Sequence, residues 1–405
     1  MFLNPTTIEI AIRKEAKFHN GRYMKASDVV ASLEYLRESR GVLRNIFSWI
    51  REIQIRGPRT IHIHLSRHLP QFLTVLSAPN YAIFSEEFLK KAKSNQSLWS
   101  NPMGCGNYQI TRYDPKGEFV ELEPIHEGLP IRFHFVGENQ VSKKDAPQYD
   151  LIGLPIVGGE VTGETFRTEK LFDPYHIFMG LNTHRPQWSR REDRCQFFSR
   201  LDPEKPLQSY GPNAERATDI LPRGILGFST KENYQEKIRS WKHEWKPKSD
   251  SFCLSILSVS VPKKNRSAFV DMVRSVFSNV QLKIVDNPAR FGFNFVNSSC
   301  DGMIVGLKSN YLDAYEYLLI FSETDPNLTG YNSAALKKMV QESQDVEGSK
   351  ARAELYQEIS DQVKNECLLY PILTIQMKTI FVKKSRKTPG LGTVPLNEYY
   401  LGSVR

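Results

Sequence analysis

A chain of 405 residues is longer than one hydrophobic core usually serves, roughly 250 to 300 residues, so two domains are expected. Hydrophobic residues make up 40% of the chain and charged residues 24%, which are values typical of globular proteins and exclude a mostly disordered chain. Apolar stretches such as Tyr370–Gln376 fall far short of the roughly 20 residues of a membrane-spanning helix, which argues against an integral membrane protein.

Part of the net charge of +9 lies in short basic clusters, at Trp241–Lys248, Lys263–Arg266 and Lys383–Lys387. Nucleic-acid-binding and membrane-surface proteins carry such clusters. Here the clusters are dispersed, and no helix-turn-helix or RNA-binding motif accompanies them. We therefore expect a solvated basic surface and no nucleic-acid partner.

The cysteines argue against both a disulfide framework and a zinc site, because they are odd in number and show no CxxC spacing. They are Cys105, Cys195, Cys253, Cys300 and Cys367. Buried free thiols are expected. The first residues, Met1–Pro5, show none of the regions of a signal peptide, so localisation cannot be read from them.

The first half of the chain is predicted to mix strands and helices. Thr7–Ile12 and Ile61–Leu65 alternate apolar and polar residues as strands do. Ala26–Asp28 supplies a helix start before apolar residues at helical spacing, and a second helix is predicted to begin near Ser85.

The second half is predicted to contain a βαβ unit, with strands Cys253–Val259 and Val280–Val285 joined by a helix over Ala268–Phe277. An apolar strand follows at Met303–Leu307. Ser333 is placed to cap a further helix.

The C-terminal part is predicted to end in an extended segment, Ile372–Phe381, after a helix that Pro371 stops. Asp202–Phe228 is rich in Pro, Gly and charged residues without periodicity, which favours a boundary between lobes there.

No catalytic or phosphate-binding motif is present: GxGxxG, GxxxxGK[ST], HExxH and GxSxG do not occur in the required context, so no catalytic residue and no cofactor is expected. His62 and His64 lie on one side of a strand, with His19 and His68 nearby in sequence. They could bind a metal, but no third ligand is evident, and a polar strand face is favoured over a metal site.

Two motifs carry a family resemblance. Phe18–Gly21, followed by Ala26–Val30, resembles the "FHDG... TAEDV" signature of the family 5 extracellular solute-binding proteins, which include oligopeptide and dipeptide binders. Asn101–Tyr108 resembles the family's "NPVGTGPY" loop. In physical terms Asn20 and Gly21 form a turn, and Ser27 is expected to cap the helix.

The resemblance continues toward the C-terminus. Leu181–Thr183 with Pro186 is similar to the family's "FNT..PP" segment, with Gln187 in place of the second proline. Tyr331–Asn332 and Leu355–Pro371 are similar to its last helices. The family implies an α/β fold of two lobes with mixed sheets and a hinge, which bind solute in the cleft between them.

The sequence also departs from the family. The "FHDG"-like motif begins at Phe18, where family members have several earlier strands, so the first lobe is expected to be incomplete. The family's "W..D" segment, whose aspartate pairs with a peptide's α-amino group, aligns with Leu319 and Ser322. Glu323 is then the nearest carboxylate, and the "RNPNYW" stretch is degenerate near Glu123–Ile125.

The resemblance implies a first lobe of residues 1–199 with 377–405, and a second lobe of residues 200–376. It also implies ligand-binding residues, for which a core role is an equally open interpretation at Phe178, Met179 and Leu319. These candidates are Phe178, Met179, Gly180, Asn182, Leu319, Ser322 and Glu323.

The function implied is binding of a solute, with peptide as the favoured class, for delivery to an ABC transporter permease by a monomeric protein outside the cytoplasm. Metal and cofactors are not expected, and neither is enzymatic activity. The same fold also serves as the ligand-sensing domain of some bacterial regulators, which stays open as the alternative.

Overall fold

The structure is a computed structural model. It describes residues 1–38, 47–69, 72–77, 81–114, 116, 119–126, 130–134, 151–153, 166–230, 233–241, 244–286, 295–309, 313–321 and 328–383. The chain divides into two compact units. Unit 1 comprises Met1–Ile152, Gly159–Arg167 and Phe381–Arg405, and unit 2 comprises Gly153–Gly158 and Thr168–Ile380.

Unit 1 contains two antiparallel sheets, of order β1-β2-β4-β3 and β5-β6-β7. Its strands are β1 (Phe2–Asn4), β2 (Thr7–Ala11), β3 (Ile50–Gly57), β4 (Thr60–Leu65), β5 (Tyr108–Tyr113), β6 (Phe119–Pro124) and β7 (Ile131–His134). Its helices are α1 (Ala26–Glu38), α2 (Phe72–Leu76) and α3 (Glu86–Ser94).

The predicted elements of unit 1 are confirmed. Strand β4 buries every second residue, including Ile61 and Ile63, as its alternating sequence requires. Helix α3 begins after Ser85, whose hydroxyl accepts a hydrogen bond from the Phe88 N–H over 3.1 Å. Phe88 then packs with Trp99, whose ring centroid lies 5.1 Å away.

Unit 2 is built on a mixed sheet whose main path has the order β10-β14-β9-β13-β11-β12. After the short β8 (Leu151–Gly153), its strands are β9 (Phe166–Leu181), β10 (Ala214–Arg216), β11 (Ser251–Leu257), β12 (Asn279–Val285), β13 (Gly302–Lys308) and β14 (Leu369–Lys383). Its helices are α4 (Arg191–Phe198), α5 (Glu204–Tyr210), α6 (Tyr234–Arg239), α7 (Arg266–Arg274), α8 (Ala314–Leu318), α9 (Ala334–Glu342) and α10 (Ser349–Asn365).

The predicted βαβ unit is confirmed, since β11 and β12 pair in parallel and α7 connects them. The apolar face of α7 is covered: Phe269 and Val273 have no exposed surface, and Phe277 keeps 2%. Phe277 packs on Phe252 of β11 with ring centroids 5.0 Å apart. Burial of this face is the main stabilisation of the helix, because short helices are marginal alone.

Two disulfide bonds correct the expectation of free thiols. Cys195 of α4 bonds to Cys367, and Cys253 of β11 bonds to Cys300, with Cα–Cα distances of 5.3 and 4.5 Å. Both pairs are far apart in sequence, by 172 and 47 residues, so neither could be seen as a local motif. Cys105 has a free thiol and is exposed.

The division into units differs from the expected lobes. Residues 168–199 were placed with the first lobe, but β9 pairs with β13 over seven residue pairs, from Tyr175↔Lys308 to Leu181↔Gly302, and so belongs to unit 2. Asp202–Phe228 is likewise not a boundary, because it contains α5 and β10 within unit 2. The return to unit 1 comes at Phe381 rather than at residue 377.

Candidate functional site

The two motif loops of unit 1 are in direct contact. Gly21 has a φ of 80°, a left-handed conformation that favours glycine. Two residues before it, the His19 N–H donates to the Gly104 carbonyl over 3.0 Å, and the His19 Nε2 lies 3.2 Å from the Gly106 carbonyl oxygen. The "FHDG"-like and "NPVGTGPY"-like motifs therefore form one structural unit.

Asp28 connects the first turn of α1 to its surroundings. Its carboxylate accepts two bonds from Arg22, of 2.7 and 3.1 Å, and one each from the N–H groups of Lys25 and Glu86. Burial raises the pKa of Asp28, but Arg22 and the two N–H donors outweigh burial and hold the pKa below its usual value. Ser27, to which the sequence assigned the cap, lies inside the helix, and it is Asp28, at the third helical position, that bonds back to the N–H of Lys25 just before the helix.

Four predicted ligand-binding residues, Phe178, Met179, Gly180 and Asn182, lie on or directly after β9. Phe178 keeps 2% of its surface exposed, and Met179 and Asn182 keep none. A Cβ on Gly180 would lie 2.7 Å from the Met303 methyl group on the neighbouring strand, so glycine allows close strand packing here. In unit 2 these residues are core residues, which favours the packing interpretation for Phe178 and Met179.

The Asn182 side chain is committed to the backbone of one loop. Its Nδ2 lies 3.2 to 3.3 Å from the carbonyl oxygens of Phe295, Val296 and Cys300. The backbone N–H of Asn182 donates to the Asp301 carbonyl over 2.9 Å. An amide with two N–H donors is saturated by such contacts, so Asn182 holds the loop before β13 in place.

Asp301 was not predicted and is the centre of the same region. Its buried carboxylate accepts hydrogen bonds from Arg185 (3.2 Å), Trp188 (3.3 Å), Gln187 and the Cys253 N–H (2.9 Å). The sequence signal was Gln187 itself, which replaces a proline of the family pattern and here supplies a donor that proline lacks.

Helix α8 is fixed at both ends by side chains. Its N-cap residue, Asp313, accepts from the Tyr315 N–H over 2.8 Å and from the Tyr356 hydroxyl over 2.6 Å. The Tyr317 hydroxyl donates to the Pro174 carbonyl beside β9 over 3.1 Å. The chain that follows α8 therefore starts from a rigid support.

Leu319 lies in that following chain, in a single 3-10 turn, Leu319–Phe321, and is 5% exposed. Ser322 and Glu323 lie outside the described residues, so their predicted role stays a prediction. The structure brings Phe178, Met179, Gly180 and Leu319 into the same unit.

His176 is buried between α8 and the sheet. Its Nδ1 lies 2.7 Å from the Thr374 hydroxyl of β14, and its ring centroid lies 6.4 Å from that of Tyr317. Complete burial lowers the pKa of His176 to about 4, since a charged imidazolium loses its hydration there. At neutral pH this histidine is uncharged.

His62 and His64 share one face of β4, as predicted, but contact different partners. The His62 Nε2 lies 3.0 Å from the Glu9 carboxylate, and the His64 Nδ1 lies 3.2 Å from the Thr7 hydroxyl. The described residues contain no group of three or more His, Cys, Asp or Glu side chains placed to hold a metal ion.

Comparison with known proteins finds a family match over the first part of the chain and a likeness of fold over its whole length. Residues 4–126 match the family model described as bacterial extracellular solute-binding proteins, family 5 middle. The solved structure of the periplasmic binding protein DppA from Helicobacter pylori with the peptide STSA is similar over 100% of this chain and 87% of that one. Its TM-score is 0.82 at 15% identity.

Two further solved structures are similar. A dipeptide-binding protein from Pseudoalteromonas with Met-Leu matches 97% of this chain and 87% of that one, with a TM-score of 0.79 at 17% identity. AgaA from A. tumefaciens with agropinic acid matches 96% of this chain and 84% of that one, with a TM-score of 0.77 at 18% identity. The fold is that of the two-lobed periplasmic binding proteins.

Among curated proteins, the nickel-binding protein NikA of Staphylococcus aureus is 25% identical over 157 residues. That match spans 37% of this chain and 30% of the relative's length. The chain is therefore similar to the family 5 extracellular solute-binding proteins over residues 4–126, and it spans less than a third of the length of this curated relative. No helix in the described part of the chain is long and apolar enough to cross a membrane.

Proposed function

We propose that this protein binds a small solute, with short peptides as the favoured class, and delivers it to an ABC importer outside the cytoplasm. The observation that carries the proposal is the likeness of fold along the whole chain to binding proteins, two of which hold peptides in their structures. Binding would occur between two lobes that close on the solute, as in periplasmic-type binders.

The two disulfides support the extracytoplasmic location. Disulfides persist in oxidising compartments and are rare in the cytosol. Cys195–Cys367 and Cys253–Cys300 therefore favour a transport protein over an intracellular ligand-sensing regulator.

Recognition of the solute is proposed to involve the chain after α8. In peptide binders of this family an aspartate at the position of Ser322 pairs with the α-amino group. Glu323 is the neighbouring carboxylate and would take that role, because an ammonium buried without an anion costs several kcal/mol. Helix α8, anchored through Asp313 and Tyr317, fixes the start of the described chain, Leu319–Phe321, that leads toward this segment.

Calorimetry tests the proposal, with the tetrapeptide Ser-Thr-Ser-Ala, its N-acetylated form and NiCl₂ as ligands. We expect the free peptide to bind, the acetylated form to bind more weakly, and Ni²⁺ not to bind. Glu323→Gln should weaken the free peptide by about 1.5 to 3 kcal/mol, the usual contribution of a hydrogen bond to a charged group. Ser322→Ala is the matched control and should change affinity less.

Native mass spectrometry of gently purified protein would identify a co-purifying solute, and solution scattering should show compaction when that solute is added. Equal affinity of the wild type for both peptide forms would refute the role of Glu323. Solute binding without compaction would refute closure of the lobes.

A further inference from the structure

A second candidate binding site lies in unit 1, in a groove of about 510 Å³. Small-molecule and peptide sites commonly have volumes of roughly 300 to 1,000 Å³, so the groove is large enough for a ligand. Its walls are Gln96, Ser97, Ser100 and Asn101 on one side and Ile110, Thr111, Arg112 and Tyr113 on the other.

The lining shows that the groove follows the edge of β5. The pairing of β5 with β6 shifts by one residue between Ile110 and Arg112, but beyond that bulge Arg112 and Tyr113 pair with consecutive residues of β6 and so point to opposite faces of the sheet. Both border the groove, which can therefore only follow the strand's edge. Strand β5 is terminal in the order β5-β6-β7. Among the described residues it pairs with β6 alone, so its other edge presents backbone N–H and C=O groups to the groove.

The polar side chains of the groove suit a polypeptide backbone. The opposite wall carries the amides of Gln96 and Asn101 and the hydroxyls of Ser97 and Ser100. The Ser97 hydroxyl donates to the Asn95 side chain and the Ser100 hydroxyl to the Ser97 carbonyl, which leaves both hydroxyl oxygens as acceptors for N–H groups. Amides provide both donors and acceptors.

The charge that lines the groove is positive. Arg112 is the one charged residue among the lining residues, and its guanidinium carbon lies 4.9 Å from the centroid of the Phe119 ring. An arginine stacked in this way keeps its N–H groups directed outward and matches the planar shape of a carboxylate. The preferred occupant is therefore neutral or acidic.

We propose that this groove binds an extended peptide segment that bears a carboxylate side chain, which adds a strand to the free edge of β5. Main-chain hydrogen bonds to β5 would supply affinity, and Arg112 would select the acidic side chain. This proposal does not rest on the proposed function, because every residue that lines the groove belongs to unit 1 whereas the proposed recognition segment follows α8 of unit 2.

A blocked peptide probes the site. The probe is the acetylated and amidated hexapeptide Thr-Val-Asp-Val-Thr-Val, and the control is the same peptide with alternate amide nitrogens methylated so that it cannot pair. Hydrogen exchange with mass spectrometry should show protection of residues 108–113 with the probe and none with the control. Saturating free Ser-Thr-Ser-Ala should not displace the probe.

Arg112 and Arg132 offer a matched pair of variants, because both guanidinium groups stack on Phe119 but Arg132 does not line the groove. Arg112→Gln should weaken the probe by about three- to tenfold, as expected for one partly exposed charge-assisted contact. Arg132→Gln should leave probe affinity unchanged. Replacing Asp by Asn in the probe should reproduce the Arg112→Gln effect.

Four results would overturn the proposal. The N–H groups of residues 108–113 that do not bond to β6 could be protected already without probe, which would mean that the chain covers its own edge. Their protection could rise with protein concentration, which would mean that a second copy covers it. The methylated peptide could bind as tightly as the probe, or the probe could give no protection at all.

Discussion

Unit 1 and unit 2 use charged residues in different ways. In unit 1, pairs such as Lys90–Glu86 and Lys93–Glu38 join exposed side chains. In unit 2, Lys364 keeps 3% of its side-chain surface and lies 3.1 Å from Asp219, which keeps none. Exposed pairs contribute little to stability, whereas a buried charge depends on its partner.

The disulfide bonds among the described residues are also found in one unit only. Both disulfides lie in unit 2, where Cys367 adjoins Glu366, whose carbonyl accepts hydrogen bonds from the buried Arg194 over 2.7 and 3.1 Å. Substitution at the buried Lys364–Asp219 pair of unit 2 should therefore harm stability far more than substitution at the exposed pairs of unit 1, although no ligand-binding residue is touched.

The largest effect is expected at Asp219. Its carboxylate accepts hydrogen bonds from Ser360, the Ile220 N–H and the Ser229 N–H as well as pairing with Lys364. Asp219→Ala leaves the buried Lys364 ammonium with the partly exposed Asp361 carboxylate, 2.7 Å away, and removes the acceptor of the Ile220 and Ser229 N–H groups. It should lower the free energy of unfolding by about 3 to 5 kcal/mol.

Urea unfolding followed by circular dichroism measures this change. Glu87→Ala, which breaks the exposed pair with Lys91 in unit 1, is the control and should leave the midpoint almost unchanged. If Asp219→Ala lowered the free energy of unfolding no more than Glu87→Ala does, the contrast between the buried pair of unit 2 and the exposed pair of unit 1 would be refuted.

Removal of a disulfide bond should have the second-largest effect on stability. The double variant Cys195→Ala/Cys367→Ala removes a cross-link between residues 172 positions apart and should lower the free energy of unfolding by about 2 to 5 kcal/mol. Removing Cys253–Cys300, which closes 47 residues, should cost about 1 kcal/mol less because loop-closure entropy grows slowly with length. Calorimetric melting of the two double variants checks the order, and the reverse order would refute the entropic explanation.

Acid should destabilise unit 2 through His176. The folded pKa is about 4, while an unfolded histidine titrates near its usual value of about 6.5, so below neutral pH the unfolded chain binds a proton that the folded chain does not. This group alone should remove about 3 kcal/mol of stability between pH 7 and pH 4, with full stability retained above pH 7.

His176→Asn tests this pH dependence, because the amide can still contact Thr374 but does not titrate. The difference in unfolding free energy between wild type and variant should change with pH in the window from pH 7 to pH 4. A difference that stays constant across that window would show that His176 does not titrate as described.

The smallest effect is expected in unit 1. Arg22→Gln removes the partly exposed guanidinium from Asp28 but leaves the carboxylate its two backbone donors, so stability should fall by about 1 kcal/mol. Because the pKa of Asp28 is depressed, the contribution is present above the unfolded pKa and is lost as pH falls through the folded pKa. Equal losses for Arg22→Gln at pH 7 and at pH 2 would contradict this ion pair.

Much of the fold could be predicted from the sequence. The strand at β4 and the helices capped by Ser85 and Ser333 follow from local pattern, and so does the βαβ unit of β11, α7 and β12. Each depends on residues that are close in sequence, where side-chain period and caps act directly. The two motifs that carry the family resemblance are local as well.

The surroundings of the predicted site residues could not be predicted from the sequence, because burial and strand pairing depend on segments that are far apart along the chain. Phe178 and Asn182 were named from the family pattern, but only the pairing of β9 with β13 shows that both are enclosed. Asp301 gave no signal of its own, since its donors come from residues more than 40 positions away.

The sequence by itself therefore determined many of the elements, the family resemblance and the order of the motifs along the chain, because local periodicity and turn chemistry depend on neighbouring residues. Tertiary structure alone decided that His19 contacts Gly104, that Cys195 bonds to Cys367, and that residues from Thr168 belong to unit 2. These features depend on which distant segments pack together. That choice is made by the burial of whole faces and the pairing of buried charges, which no single stretch of sequence records.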